Sequence, residues 1–163
     1  MYATGRFKLD FANVDAAELF GWYNSATACD DSTGGKGHML PNRFIGVAIH
    51  GGSNGYGMIP GYRSPHLPDE QTLPRNETPP RVYEDGQWRE FYMEYDPDGT
   101  GGNGQFKLQV GRDGKLVSFD LKPGAKGKDG AFAFDRLGLL TMRKGGGKPH
   151  AIYFDTLTYT ISP

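Results

Sequence analysis

Apolar and polar residues alternate with period two through most of this chain, and no segment keeps a helical period. In Arg43–His50, Ile45, Val47 and Ile49 fall on one side while Phe44, Gly46, Ala48 and His50 fall on the other. That is the repeat of a strand with one buried face. In Trp88–Tyr95, Phe91, Met93 and Tyr95 point inward and Trp88, Glu90, Tyr92 and Glu94 outward. Similar short runs at Arg6–Phe11, Leu19–Ser25, Gly55–Tyr62, Gln105–Val110, Lys115–Leu121, Phe132–Met142 and Ala151–Thr160 bring the predicted strands to nine. In the Gly55–Tyr62 run, Tyr56, Met58, Pro60 and Tyr62 oppose Gly57, Ile59 and Gly61, and the pattern leaves open which set is buried. Asp15–Glu18 reads as one helical turn. Nine strands separated by turn clusters predict an all-β fold, a two-sheet antiparallel β-sandwich of jelly-roll type.

Composition agrees with that architecture. The 163 residues suit a single domain spanning 1–163, and 25 Gly with 11 Pro disfavour a helical bundle. Five of the prolines lie in 65–80, which predicts a loop there that either binds a partner or is mobile. No apolar run approaches the roughly 20 residues of a membrane-spanning helix. The formal charge of −1 offers no global basic field for nucleic acid, and the single Cys29 excludes an internal disulfide. The start lacks an apolar signal core, as expected of a leaderless protein or a chain beginning at a domain boundary.

Two stretches carry a family resemblance. Trp88-Arg-Glu-Phe-Tyr-Met-Glu-Tyr-Asp-Pro-Asp-Gly99, followed by Gln105-Phe-Lys-Leu-Gln-Val-Gly-Arg-Asp-Gly114, resembles the concanavalin A-like lectin/glucanase superfamily. Laminarinase-like hydrolases and laminin-G-like modules share that pattern of aromatic start, alternating core and aromatic-Asp-Pro turn. Phe134–Leu140 and Ile152–Tyr159 resemble the closing strands of bacterial jelly rolls of that superfamily. The resemblance implies the sandwich fold and a polysaccharide-related role, most simply that of a non-catalytic, lectin-like bacterial module.

Catalytic readings meet the residues directly. The resemblance implies that a laminarinase-like enzyme would carry its Glu-x-Asp-x-Glu on the strand Arg43–His50, whose outward residues include no acid. Glu90 and Glu94 have a similar spacing, but same-face neighbours on a strand are about 6.6 Å apart, so these two lie about 13 Å apart. A retaining glycosidase needs its carboxyl groups about 5–5.5 Å apart. Val47-Ala-Ile-His50-Gly resembles the Gln-Ile-His stretch of alginate lyases of this fold, with Ala48 in place of Gln. That resemblance makes a polysaccharide lyase the main enzymatic alternative. His50 would then act with Tyr56 or Tyr62 as proton-transferring phenol and Arg43 or Arg63 as carboxylate neutraliser.

For binding, sugars offer apolar C–H faces to aromatic rings and hydroxyls to polar side chains. The candidate residues are Trp22, Asn24, Arg43, His50, Tyr56, Tyr62, Arg63, Glu90 and Tyr92, on a concave sheet face with a trough at Gly46 and Ala48. Jelly rolls of the superfamily often hold a structural Ca²⁺ near the last strand, which singles out Asp155. Asp96-x-Asp98-Gly99 reads as a hairpin turn, since Lys107 stands where an EF-hand needs Glu. Residues 111–150 hold nine basic and four acidic side chains, a rim that would attract an acidic glycan. The expectation is therefore a carbohydrate-binding module of an extracellular or periplasmic protein, with further domains in its parent chain. A lyase or hydrolase is the alternative, and a laminin-G-like protein-interaction module using the 65–80 loop is the third class.

Overall fold

The structure is a computed structural model that describes residues 1–11, 17–26, 29–30, 40–52, 55–67, 71–72, 78–126, 133–141 and 151–161. In chain order the strands are β1 (Tyr2–Phe11), β2 (Ala17–Tyr23), β3 (Cys29–Asp30), β4 (Leu40–Pro41), β5 (Phe44–Gly52), β6 (Gly55–Arg63) and β7 (Gln71–Thr72). They continue as β8 (Arg81–Val82), β9 (Arg89–Asp96), β10 (Gln105–Val110), β11 (Val117–Asp120), β12 (Arg136–Thr141) and β13 (Ala151–Tyr159). Sheet A has the order β11-β10-β9-β1-β13; sheet B has the order β12-β2-β5-β6-β7, with β8 also paired to β6. All pairings are antiparallel, and β3 with β4 forms a separate ribbon. Each of the nine predicted strands is present. The helical turn at Asp15–Glu18 gives way to strand, because Ala17 and Glu18 pair with His50 and Ile49; residues 12–16 lie outside the described set. Among the described residues no helix is long and apolar enough to cross a membrane.

The core lies between the two sheets and follows the alternation. Ile45, Val47 and Ile49 of β5 and Phe91, Met93 and Tyr95 of β9 are buried as expected. The open question on β6 is resolved: Tyr56, Met58 and Tyr62 face the core, and Gly57, Ile59 and Arg63 turn away. Phe20 packs on Phe91 at 5.4 Å and on Phe154 at 4.6 Å between ring centres, joining the sheets. Tyr62 stacks on Phe119 at 5.7 Å. Burying one such side chain stabilises by about 1.5–3 kcal/mol, and each ring pair adds about 0.5–1.5 kcal/mol.

Two backbone features shape the outer faces. Four glycines, Gly138, Gly21, Gly46 and Gly61, stand in register across β12, β2, β5 and β6. In sheet A, β13 bulges opposite Gly5, and Thr156 there has φ of +53°. A Cβ on Gly5 would lie 3.1 Å from the Asp155 carbonyl oxygen, a tight contact that the bulged strand could accommodate only by shifting a few tenths of an ångström.

Candidate functional site

The expected binding residues separate into three places. Trp22, Tyr56 and Tyr62 belong to the interlayer core, with exposures of 0%, 4% and 1%. This corrects their assignment to a sugar groove: their ring faces are covered by core neighbours. Trp22 Nε1 donates to the Thr160 carbonyl at 2.8 Å, and the Tyr62 hydroxyl accepts from the Lys122 backbone N–H at 2.8 Å. Burial pushes the Tyr56 and Tyr62 phenols above their ordinary range.

Arg43, His50, Arg63 and Asn24 belong to sheet B and its margin. Arg63 pairs with Phe44 at one end of the β5–β6 ladder, and His50 lies in β5 opposite Ala17 and Gly57. Arg43 is half-buried, and its carbonyl accepts the Asn24 N–H at 3.2 Å. The Asn24 amide is occupied locally, donating to the Ala133 carbonyl at 3.0 Å and accepting from the Ala26 N–H at 3.0 Å. The trough expected between Phe44 and His50 is filled by the chain itself. The Phe44 ring folds over Gly46, with Cζ 3.0 Å from where a Cβ would stand, and Phe44 and Leu19 are both buried on this face. A glycine row leaves bare backbone, and a neighbouring ring covers it.

Glu90 and Tyr92 lie on the outer face of sheet A, beside a cleft of about 550 Å³. Alternation on β1 places Phe7 and Leu9 in the core and turns Thr4, Arg6 and Lys8 outward. Register does the rest. Arg6 is opposite Asp155 on one side and Glu90 on the other, while Thr4 and Gln109 flank Tyr92. The cleft is lined by Arg6, Glu90, Tyr92, Gln109, Arg112 and the bulge residue Thr156. Arg6 is ion-paired with Asp155, both side chains remaining more than two-fifths exposed. Tyr92 donates its hydroxyl to Glu94, which also holds Lys107 Nζ at 3.3 Å. Burial, then the hydrogen bond to Glu94 and that carboxylate's charge, push the Tyr92 phenol up to about 12. Gln109 Nε2 donates to the Gly114 carbonyl at 2.8 Å, leaving its amide oxygen for another partner.

A ledge of rings borders the cleft. Trp88 and Tyr153 are 43% and 47% exposed. Lys8 Nζ lies 5.6 Å from the Trp88 ring centre and 4.8 Å from that of Tyr153, and the Arg6 guanidinium is 5.6 Å from Trp88. Cations over ring faces hold both rings in place without burying them. Sequence reasoning missed Arg6, Lys8, Gln109, Tyr153 and Thr156, counted Arg112 only within the basic 111–150 stretch, and read Trp88 only as an outward position. On the strands the signal was outward parity; Arg112 lies in the turn after β10 and Thr156 at the bulge of β13, where parity gives no signal.

The metal expectation meets a different partner. Asp155 is engaged by the Arg6 guanidinium, and among the described residues no three His, Cys, Asp or Glu side chains could hold a metal ion together. Asp96–Gly104 is, as read, the connection of a hairpin between β9 and β10, with Lys126 Nζ donating to the carbonyls of Pro97 at 2.8 Å and Gly102 at 2.9 Å.

No protein-family model matches the sequence, and no similar curated protein is found. Two solved structures of the alginate lyase Aly36B share the fold. One, a double mutant in complex with an alginate trisaccharide, is 12% identical with a TM-score of 0.53, covering 96% of this chain and 68% of the lyase. A second structure of that lyase is 12% identical with a TM-score of 0.50, covering 96% and 67%. At that identity the likeness shows the sandwich fold.

Proposed function

We propose that this domain binds a polysaccharide on the outer face of sheet A, in the cleft at Arg6, Glu90, Tyr92 and Gln109 and along the Trp88–Tyr153 ledge. The observation that carries the reading is the polar cleft lying beside two exposed rings. Sugars need such a pair: flat apolar surface for their C–H faces and fixed donors and acceptors for their hydroxyls. The fold it shares with a lyase solved around an alginate trisaccharide supports the ligand class. In this reading the domain is a non-catalytic module of an extracellular or periplasmic bacterial protein. Glu90 and Glu94, about 13 Å apart on one strand, are too far apart to act as a glycosidase pair.

Lyase chemistry is the second reading, supported by the likeness in fold to a lyase and by His50 lying in the same sheet as Arg63. A glycan array followed by product analysis on the best binder tests both. Binding without new reducing ends or unsaturated products is the expected result. One stacked ring contributes about 1–2 kcal/mol, so Trp88→Ala and Tyr153→Ala should each weaken binding about tenfold. Unsaturated products would establish the lyase. Silence on every glycan would overturn the polysaccharide reading and favour the third class, a protein-interaction module using the 65–80 loop.

A further inference from the structure

We infer that the sheet A cleft selects an uncharged glycan, and that Asp155 is the residue that makes it do so; the inference rests on the polysaccharide reading above. Two arginines line the cleft, Arg6 and Arg112. Two carboxylates answer them: Glu90 lines the same cleft, and Asp155 holds Arg6 in an ion pair. Beyond the Thr4–Tyr92–Gln109 rung, Lys107 is matched by Glu94. Within the cleft itself the two arginines are therefore matched by two carboxylates, and Lys8 on the adjoining ledge is the remaining cation. A polyanion entering would meet Glu90 as well as the arginines, and it would compete with Asp155 for Arg6. The oriented N–H groups of Arg6, the carboxylate of Glu90 and the amide oxygen of Gln109 instead suit hydroxyl groups, which both donate and accept.

The bulge in β13 sets this arrangement. Arg6 and Asp155 pair at the rung next to the irregularity, where Thr156 holds φ of +53° and turns its hydroxyl to the Asp155 carbonyl at 2.8 Å. A non-glycine residue kept in the left-handed region is sparsely populated backbone, of the kind retained where geometry matters. Asp155 touches no ligand in this account; it acts through Arg6.

The test is calorimetric titration with a neutral β-gluco-oligosaccharide and with an oligo-uronate of equal length. Wild type should bind the neutral oligomer about tenfold more tightly, with affinity changing less than about twofold between about 50 and 500 mM NaCl. Asp155→Asn frees Arg6 and should raise oligo-uronate affinity by about fivefold or more at low salt, the gain vanishing at high salt. Arg6→Gln, which removes the charge without unmaking the strand, should weaken the oligo-uronate further. A wild-type preference for the oligo-uronate, or an unchanged ratio in Asp155→Asn and Arg6→Gln, overturns the selectivity and leaves the polysaccharide reading standing. Failure of wild type to bind either oligomer, or any glycan on the array, overturns both.

Discussion

Gly21 and Gly46 face each other across β2 and β5 with no space for a side chain on either: a Cβ on Gly21 would lie 2.6 Å from the Gly46 Cα. The obstacle is backbone, which cannot swing aside as a flexible side chain would. Gly21→Ala and Gly46→Ala should each destabilise the domain by about 1–3 kcal/mol or more. The urea midpoint should fall with the slope unchanged; wild-type midpoints for both would refute so close an approach.

The two tryptophans should separate cleanly in fluorescence. Trp22 is fully buried and Trp88 is 43% exposed. Acrylamide should quench only one component, and Trp88→Phe should remove it. Trp22→Phe leaves quenching intact but lowers stability by about 1–3 kcal/mol, because the Thr160 carbonyl loses its donor. Equal quenching of both rings would contradict this placement.

Tyr92 should titrate near 12 in an alkaline absorbance titration. Its folded pKa is raised, so the stabilisation it gives is fully present below the ordinary value of 10.0 and disappears as pH rises through about 12. Tyr92→Phe should delete one late-titrating phenol, leaving Tyr95, which burial also holds at about 12. Glu94→Gln should bring the Tyr92 phenol down. Loss of a phenol titrating near 10 in Tyr92→Phe would contradict the Glu94 contact.

Acid should act through surface carboxylates. The hydrogen bond from Arg89 holds Asp85 at about 2 against an ordinary 3.8, and Thr100 with Gln105 lowers Asp120. These depressed values give stability that is present above about pH 4 and lost as pH falls towards 2. Because Asp85 is exposed and screened, Asp85→Asn should remove less than about 1 kcal/mol of that dependence. A melting-temperature profile flat from pH 5 to about 2 would refute the linkage.

Chelation should leave the fold unchanged, since Asp155 is held by Arg6. Excess EDTA is expected to produce no shift in melting temperature. A native-state metal at 100 times its dissociation constant would add about 2.7 kcal/mol, so its removal would be plain to see. A drop of several degrees that Asp155→Ala abolishes would restore the calcium reading.

Period-two alternation was enough to read the strands, because burial of one face is a local property of a half-exposed sheet. It also sorted Ile45 from Phe44 and Phe91 from Glu90 correctly. It failed on Trp22, because a ring suits a core and a groove equally well and Asn24, two residues on, drew the eye to the surface. It was silent on β6, where one face mixes aromatic residues with Pro60 and the other mixes Ile59 with glycines. The cleft was illegible for a different reason. Arg6, Glu90 and Asp155 lie on three strands far apart in the chain, and only pairing register makes them neighbours. Outward parity could nominate each of them; it could not bring them together.

The Arg6–Asp155 pair also has a history in time, since the two residues are 149 positions apart. A ribosome adds about 5–20 residues per second, so Arg6 emerges many seconds before its partner exists. Through that interval β1 can pair with β9 alone, and its other edge is unclaimed. The same late segment brings the Thr160 carbonyl to Trp22. The nascent chain therefore completes its cleft last: a message truncated before β13 would leave β1 with an unpaired edge and a cleft lacking Thr156 and the Arg6–Asp155 pair.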